Sequence, residues 1–150
     1  MQIITDKTLY NRIWDRIYQA YCFSPQNEKW LCPDTEYDVY RLGAIWDERQ
    51  EAAVNAILCR CVRGGMYALD WQHDCFLFDP HEHIPLGYQY YDAARDCNVY
   101  FPSYYPDGDY HFFVAADWSA GLFGHPWRRE LIVAGAALKR EIAAAAHDLN

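Results

Sequence analysis

The sequence predicts an α+β fold: a mainly antiparallel sheet of about five to six strands packed by about three helices. Three observations carry this. Apolar residues recur at helical spacing in three stretches, short apolar runs bounded by Gly, Pro and Asp fill the middle, and tight connections join those runs. The element order α-β-α-β-β-β-β-β-α, with tight β-β connections, argues an antiparallel sheet packed by helices. A chain of 150 residues, 52% hydrophobic and 23% charged, is expected to form a single globular domain with its own core over 1–150.

Thr5 or Asp6 caps a first helix, with Leu9, Tyr10, Ile13, Trp14, Ile17 and Tyr21 on its inner face. Pro25 and Pro33 mark a loop, and Glu36–Leu42 reads as a strand whose Asp38 and Arg41 suit a sheet edge. Asp47 opens a second helix through about Val62, facing the core with Ala53, Val54, Ile57, Leu58 and Cys61, and stopped by Gly64-Gly65. Met66–Trp71 and Cys75–Phe78 form a hairpin around Gln72-His73-Asp74. Residues 79–96 read as an extended loop, and 98–105 as a strand interrupted by Pro102.

Pro106-Asp107-Gly108-Asp109 is a turn in which Pro sets φ and Gly supplies a positive φ. The strand after it, Asp109–Asp117, is apolar on both faces, with Tyr110, Phe112 and Val114 on one and Phe113 and Ala115 on the other. Gly121, Gly124 and Pro126 are read as a turn packed down by Trp127, leading into the strand Leu131–Ala134. Ala136–Leu149 is a last helix with a Leu138, Ile142, Ala145, Leu149 stripe.

A net charge of −8 argues against a nucleic-acid binder that neutralises phosphates. No basic start followed by an apolar run opens the chain, and its longest apolar run, Leu131–Leu138, is too short to cross a bilayer. The expectation is a cytoplasmic protein without nucleic-acid or membrane partners, its six Cys reduced thiols.

Ala68-Leu-Asp-Trp-Gln-His73, Tyr105-Pro-Asp-Gly-Asp-Tyr110 and Gly121-Leu-Phe-Gly-His-Pro-Trp127 occur in that order. Together they resemble the L-D-W-Q-H, Y-P-x-G-D-Y and G-x-F-G-H-P-W signature of a bacterial domain-of-unknown-function family, DUF2716. The resemblance extends over about residues 21–140. It implies a fold unit rather than a reaction. The family pattern continues with Glu after H-P-W, where this chain has Arg128, then Arg129 and Glu130. If that acid were a general base, the chain would lack it unless Glu130 substitutes, which shifts the reading from chemistry to binding.

Two functional readings follow. Residues 76–127 hold seven acids, one base and seven tyrosines. Such a face suits a small binding protein, an immunity- or antitoxin-type inhibitor meeting a basic partner such as a toxin. Its contact residues would be Tyr104, Tyr105, Asp107, Asp109, His125 and Trp127. The alternative is a small hydrolase-like enzyme using Asp70, His73, Asp109 and His125, with His111 nearby, at one end of the sheet. His81-Glu82-His83 has no further ligand fixed by spacing, so no metal or cofactor is expected. No nucleophile elbow, phosphate-cradling Gly loop or H-E-x-x-H is present.

Overall fold

A computed structural model describes residues Met1–Asn150. Its helices are α1 (Lys7–Asp15), α2 (Glu48–Cys61) and α3 (Ala136–Leu149), and α1 continues into a π-helical turn, Arg16–Ala20. Nine strands follow in chain order: β1 (Gln2–Ile3), β2 (Tyr37–Arg41), β3 (Met66–Asp70), β4 (Cys75–Phe78), β5 (Gln89–Asp92), β6 (Cys97–Tyr100), β7 (His111–Ala115), β8 (Gly121–His125) and β9 (Glu130–Ala134). Seven form one sheet in the order β1-β4-β3-β7-β8-β9-β2, and β5 and β6 make a separate two-stranded ribbon. Every pairing is antiparallel. The fold is α+β, with more strands than the sequence indicated.

Local chemistry explains the helix starts. Asp6 accepts from the Thr8 and Leu9 amides, and Asp47 closes a capping box with Gln50. Val54 and Leu58 of α2 and Leu138 and Ile142 of α3 pack on the sheet face carrying Ala68, Phe113 and Leu122. Ile13, Trp14 and Ile17, with Phe23 and Trp30, cover the opposite face at Leu69, Phe112 and Phe123. The central strands β7 and β8 are buried along their whole length, as a sheet covered on both sides requires. β2 lies at the sheet edge, as its charges indicated. No helix is long and apolar enough to cross a membrane, and all six cysteines are unbridged.

Two stretches depart from the sequence reading. Residues 79–96 contain a 3-10 turn, Pro80–Glu82, and the strand β5, which pairs with β6. Gly121–His125 is a strand rather than a turn. Its glycines serve close approach: a Cβ on Gly124 would stand 2.6 Å from Pro106, and one on Gly121 would stand 2.8 Å from the Phe123 ring. Gly124 therefore lets the Pro106–Asp109 turn lie flat against β8. Gly124→Ala is expected to destabilise the chain by ~1–3 kcal/mol in chemical denaturation. An unchanged denaturation midpoint would contradict this packing role.

The Pro106 turn is also anchored from α2. Glu51 is buried, and its two oxygens accept the backbone N–H groups of Tyr104 (2.8 Å) and Tyr105 (2.9 Å). Burial outweighs these bonds and pushes the Glu51 carboxyl from its ordinary 4.5 up to about 7. Between those pH values the folded chain holds more protons than the unfolded one. The stability due to Glu51 is therefore complete below the lower value and lost as pH rises through the upper. Denaturation midpoints across this window should fall with rising pH, and fall less steeply in Glu51→Gln. Identical slopes in the two proteins would exclude Glu51 as a source.

Candidate functional site

The site is built where β3 ends and β7 begins. Asp70 and His111 are direct partners across β3 and β7, so their side chains leave the same sheet face. The chain turns back after Asp70 through a hydrogen bond from His73 N–H to Asp70 C=O (2.9 Å), with Gln72 in the left-handed region (φ 65°). This turn carries His73 over to Asp109, and its Nε2 lies 3.1 Å from Asp109 Oδ2. The other Asp109 oxygen accepts the Tyr110 amide at 2.8 Å, which fixes the carboxylate plane. Ligand atoms of Asp70, His73 and Asp109 all lie within 4.8 Å of one another.

These residues face a cleft of about 1040 Å³. Its lining includes five carboxylates (Glu51, Asp70, Asp74, Asp107 and Asp109), the imidazoles of His73 and His111, and no Lys or Arg. The β5–β6 ribbon forms one wall. Arg95, in the ribbon's turn, holds it by paired bonds to Asp74 at 2.8 and 3.3 Å.

Exposure is graded through the site. The His73 side chain is 65% exposed at the mouth, whereas that of His111 is only 8% exposed at the floor. His111 Nδ1–H donates to the carbonyls of Ser103 (2.9 Å) and Tyr105 (3.0 Å). Its Nε2 therefore carries a lone pair and lies 3.8 Å from Asp70 Oδ1. That oxygen is buried and accepts no hydrogen bond. Burial, followed by the charge of Asp109, pushes the Asp70 carboxyl up to about 7. Burial also lowers the His111 value, which keeps the ring neutral.

The structure thus brings together three of the four proposed catalytic residues, Asp70, His73 and Asp109, with His111 beside Asp70 as the sequence suggested. His125 is excluded. Strand alternation puts His125 on the β8 face shared with Phe123, whereas His111 shares the opposite face with Phe113. His125 donates from Nε2 to Pro25 C=O (3.0 Å) and accepts the Arg128 amide at Nδ1 (3.2 Å), bracing two loops. Arg128 gives its guanidinium to the carbonyls of Asn27 and Glu28. It braces the same loop and does not line the cleft.

Of the proposed contact residues, Asp107 and Asp109 line the cleft. Tyr104 and Tyr105 do not form an open face: both are buried, with their hydroxyls donating to Asn55 (2.6 Å) and Gly43 C=O (2.8 Å). The core under α2 claims them. Trp127, expected to pack down its turn, is instead 77% exposed. His81 pairs with Asp79 (2.8 Å), whereas His83 meets Asn55 (3.4 Å). Sequence reasoning missed Glu51, Asp74 and Ser103. Only Glu51 left a signal, lying in register with Val54 and Leu58 on the inner face of α2.

An α+β chain with an acidic, imidazole-bearing cleft at one sheet end is the class that this fold and site define. Residues 4–139 match the model of the family described as Protein of unknown function (DUF2716), and the chain belongs to that family. The match reaches further toward the N-terminus than the motifs alone and takes in α1. The chain is also similar to the uncharacterized protein YxiI of Bacillus subtilis (strain 168), at 42% identity over 77 residues. That alignment covers 51% of this chain and 43% of the relative, so less than half of the relative's length is spanned. No solved structure matches the chain.

His125→Ala strands the Arg128 amide and the Pro25 carbonyl, and is expected to cost ~1–3 kcal/mol of stability. Trp127→Ala should stay within about 0.5 kcal/mol of the parent. Equal effects of the two in urea unfolding would contradict the bracing role.

Proposed function

We propose that the cleft is a hydrolytic active site in which Asp70, His73 and Asp109 activate water. The observation that carries this reading is their convergence, with ligand atoms within 4.8 Å, inside a cleft large enough for a small substrate. General acid–base chemistry needs its partners within hydrogen-bond reach or one water of the substrate, and the closeness of these three groups to one another supports such an arrangement. The group takes a proton from water as the water oxygen bonds to an electrophilic centre. It passes that proton to the leaving group as the old bond breaks. A lining of five carboxylates without Lys or Arg favours a neutral or cationic substrate, such as an ester or amide with a basic group, over a polyanion.

Hydrolysis of a panel of neutral and cationic esters and amides is the direct test. Asp109→Asn and His73→Ala are expected to lower the rate by ~100-fold or more. A parent protein no faster than either variant on every substrate would remove the catalytic reading.

The same acidic lining supports a second reading, a binding protein of immunity or antitoxin type whose cleft receives a basic side chain of a toxin. Burial removes Tyr104 and Tyr105 from the face on which that reading first rested, whereas Tyr91, Tyr100 and Trp127 stay exposed. Of the contacts first named, Asp107 and Asp109 line the cleft. Asp107→Lys should then abolish protection against the basic partner while leaving hydrolysis measurable, and undiminished protection would end this reading.

A further inference from the structure

We infer that the floor of the cleft binds a divalent transition-metal ion through His73 Nε2 and the carboxylates of Asp70 and Asp109. The inference deepens the hydrolytic reading by naming a cofactor for that site, but the binding itself stands on geometry alone.

The first observation is the donor set. An imidazole and two carboxylates with ligand atoms within 4.8 Å of one another match the ligand types and number of three-ligand sites that keep an open position. Donors sharing one ion at about 2.0–2.2 Å stand roughly 3–4 Å apart. The 3.1 Å separation of His73 Nε2 and Asp109 Oδ2 already falls in that range.

The second observation is independent of the first and concerns His111. Its side chain is more than nine-tenths buried, and two backbone carbonyls take its Nδ1–H. The remaining ring nitrogen is an acceptor, and it faces another acceptor, the buried and unpartnered Asp70 Oδ1. The unpartnered Asp70 oxygen beside that acceptor is free to ligate a cation held by the set. A ring whose second nitrogen is tied to backbone carbonyls is also how proteins orient and polarise a metal-binding imidazole.

Imidazole with carboxylate oxygen favours Zn²⁺, Mn²⁺ or Fe²⁺ over Ca²⁺ and Mg²⁺, which take mostly oxygen. The exposed His73 is the entry-side ligand, and the open position faces the cleft.

The test is titration of the tag-free, metal-stripped protein with Mn²⁺ and Zn²⁺ by calorimetry, with bound metal counted after dialysis. One ion per chain is expected. His73→Ala and Asp109→Asn should each weaken binding ~100-fold or more, and Asp107→Asn, on the same rim but outside the set, by less than ~3-fold. All three variants keep the six thiols, so zinc bound to cysteine would not follow this pattern. His73 lies in an exposed turn, and circular dichroism checks that its variant folds. No saturable binding, or equal binding by His73→Ala, overturns the inference. Stoichiometric binding without hydrolysis of any substrate supports the ion and overturns the catalytic reading. Hydrolysis by metal-free protein without bound ion does the reverse.

Discussion

The backbone from Ser103 to Tyr105 is held from both sides, and the arrangement of the cleft depends on that clamp. Glu51 of α2 takes its amides, and His111 of β7 donates to its carbonyls. A carboxylate with two buried backbone donors and an imidazole with two carbonyls satisfy four backbone groups of a segment that no strand pairs. The same contacts orient His111, and through the Pro106 turn they deliver Asp109 to the cleft. Glu51 stands 60 residues before His111 in the chain, so helix, loop and strand must come together before the floor of the site exists.

This clamp also explains why the acids do not repel the site open. Asp70 is shielded at the floor, Asp74 is paired with Arg95, and Asp109 divides its oxygens between the Tyr110 amide and His73. Five carboxylates are nevertheless gathered at one cleft that no Lys or Arg lines. Such a concentration draws cations, whether a metal ion or a basic group of a substrate or partner.

The helices and several strands were legible because their signals are local. Asp47 with Gln50 caps α2, the His73 turn joins β3 to β4, and charged Asp38 and Arg41 mark an edge strand. β8 was not legible, because Gly121 and Gly124 read as turn residues until Phe123 and Pro106 are seen pressing against them. The grouping of Asp70, His73, Asp109 and His111 could be read from two turns flanking neighbouring strands. His125 was misplaced because its face depends on β8 being a strand at all. The burial of Tyr104 and Tyr105 depends on Glu51, Asn55 and Gly43, contacts about 50 to 60 residues distant that no local pattern encodes.

The idea that the sheet end is a metal-centred functional site is tested most directly by anomalous diffraction from crystals grown with Mn²⁺ or Zn²⁺. One anomalous peak about 2.0–2.2 Å from His73 Nε2 and from carboxylate oxygens of Asp70 and Asp109 is the expected result. A cleft without such a peak, or peaks confined to the cysteine thiols, would contradict it.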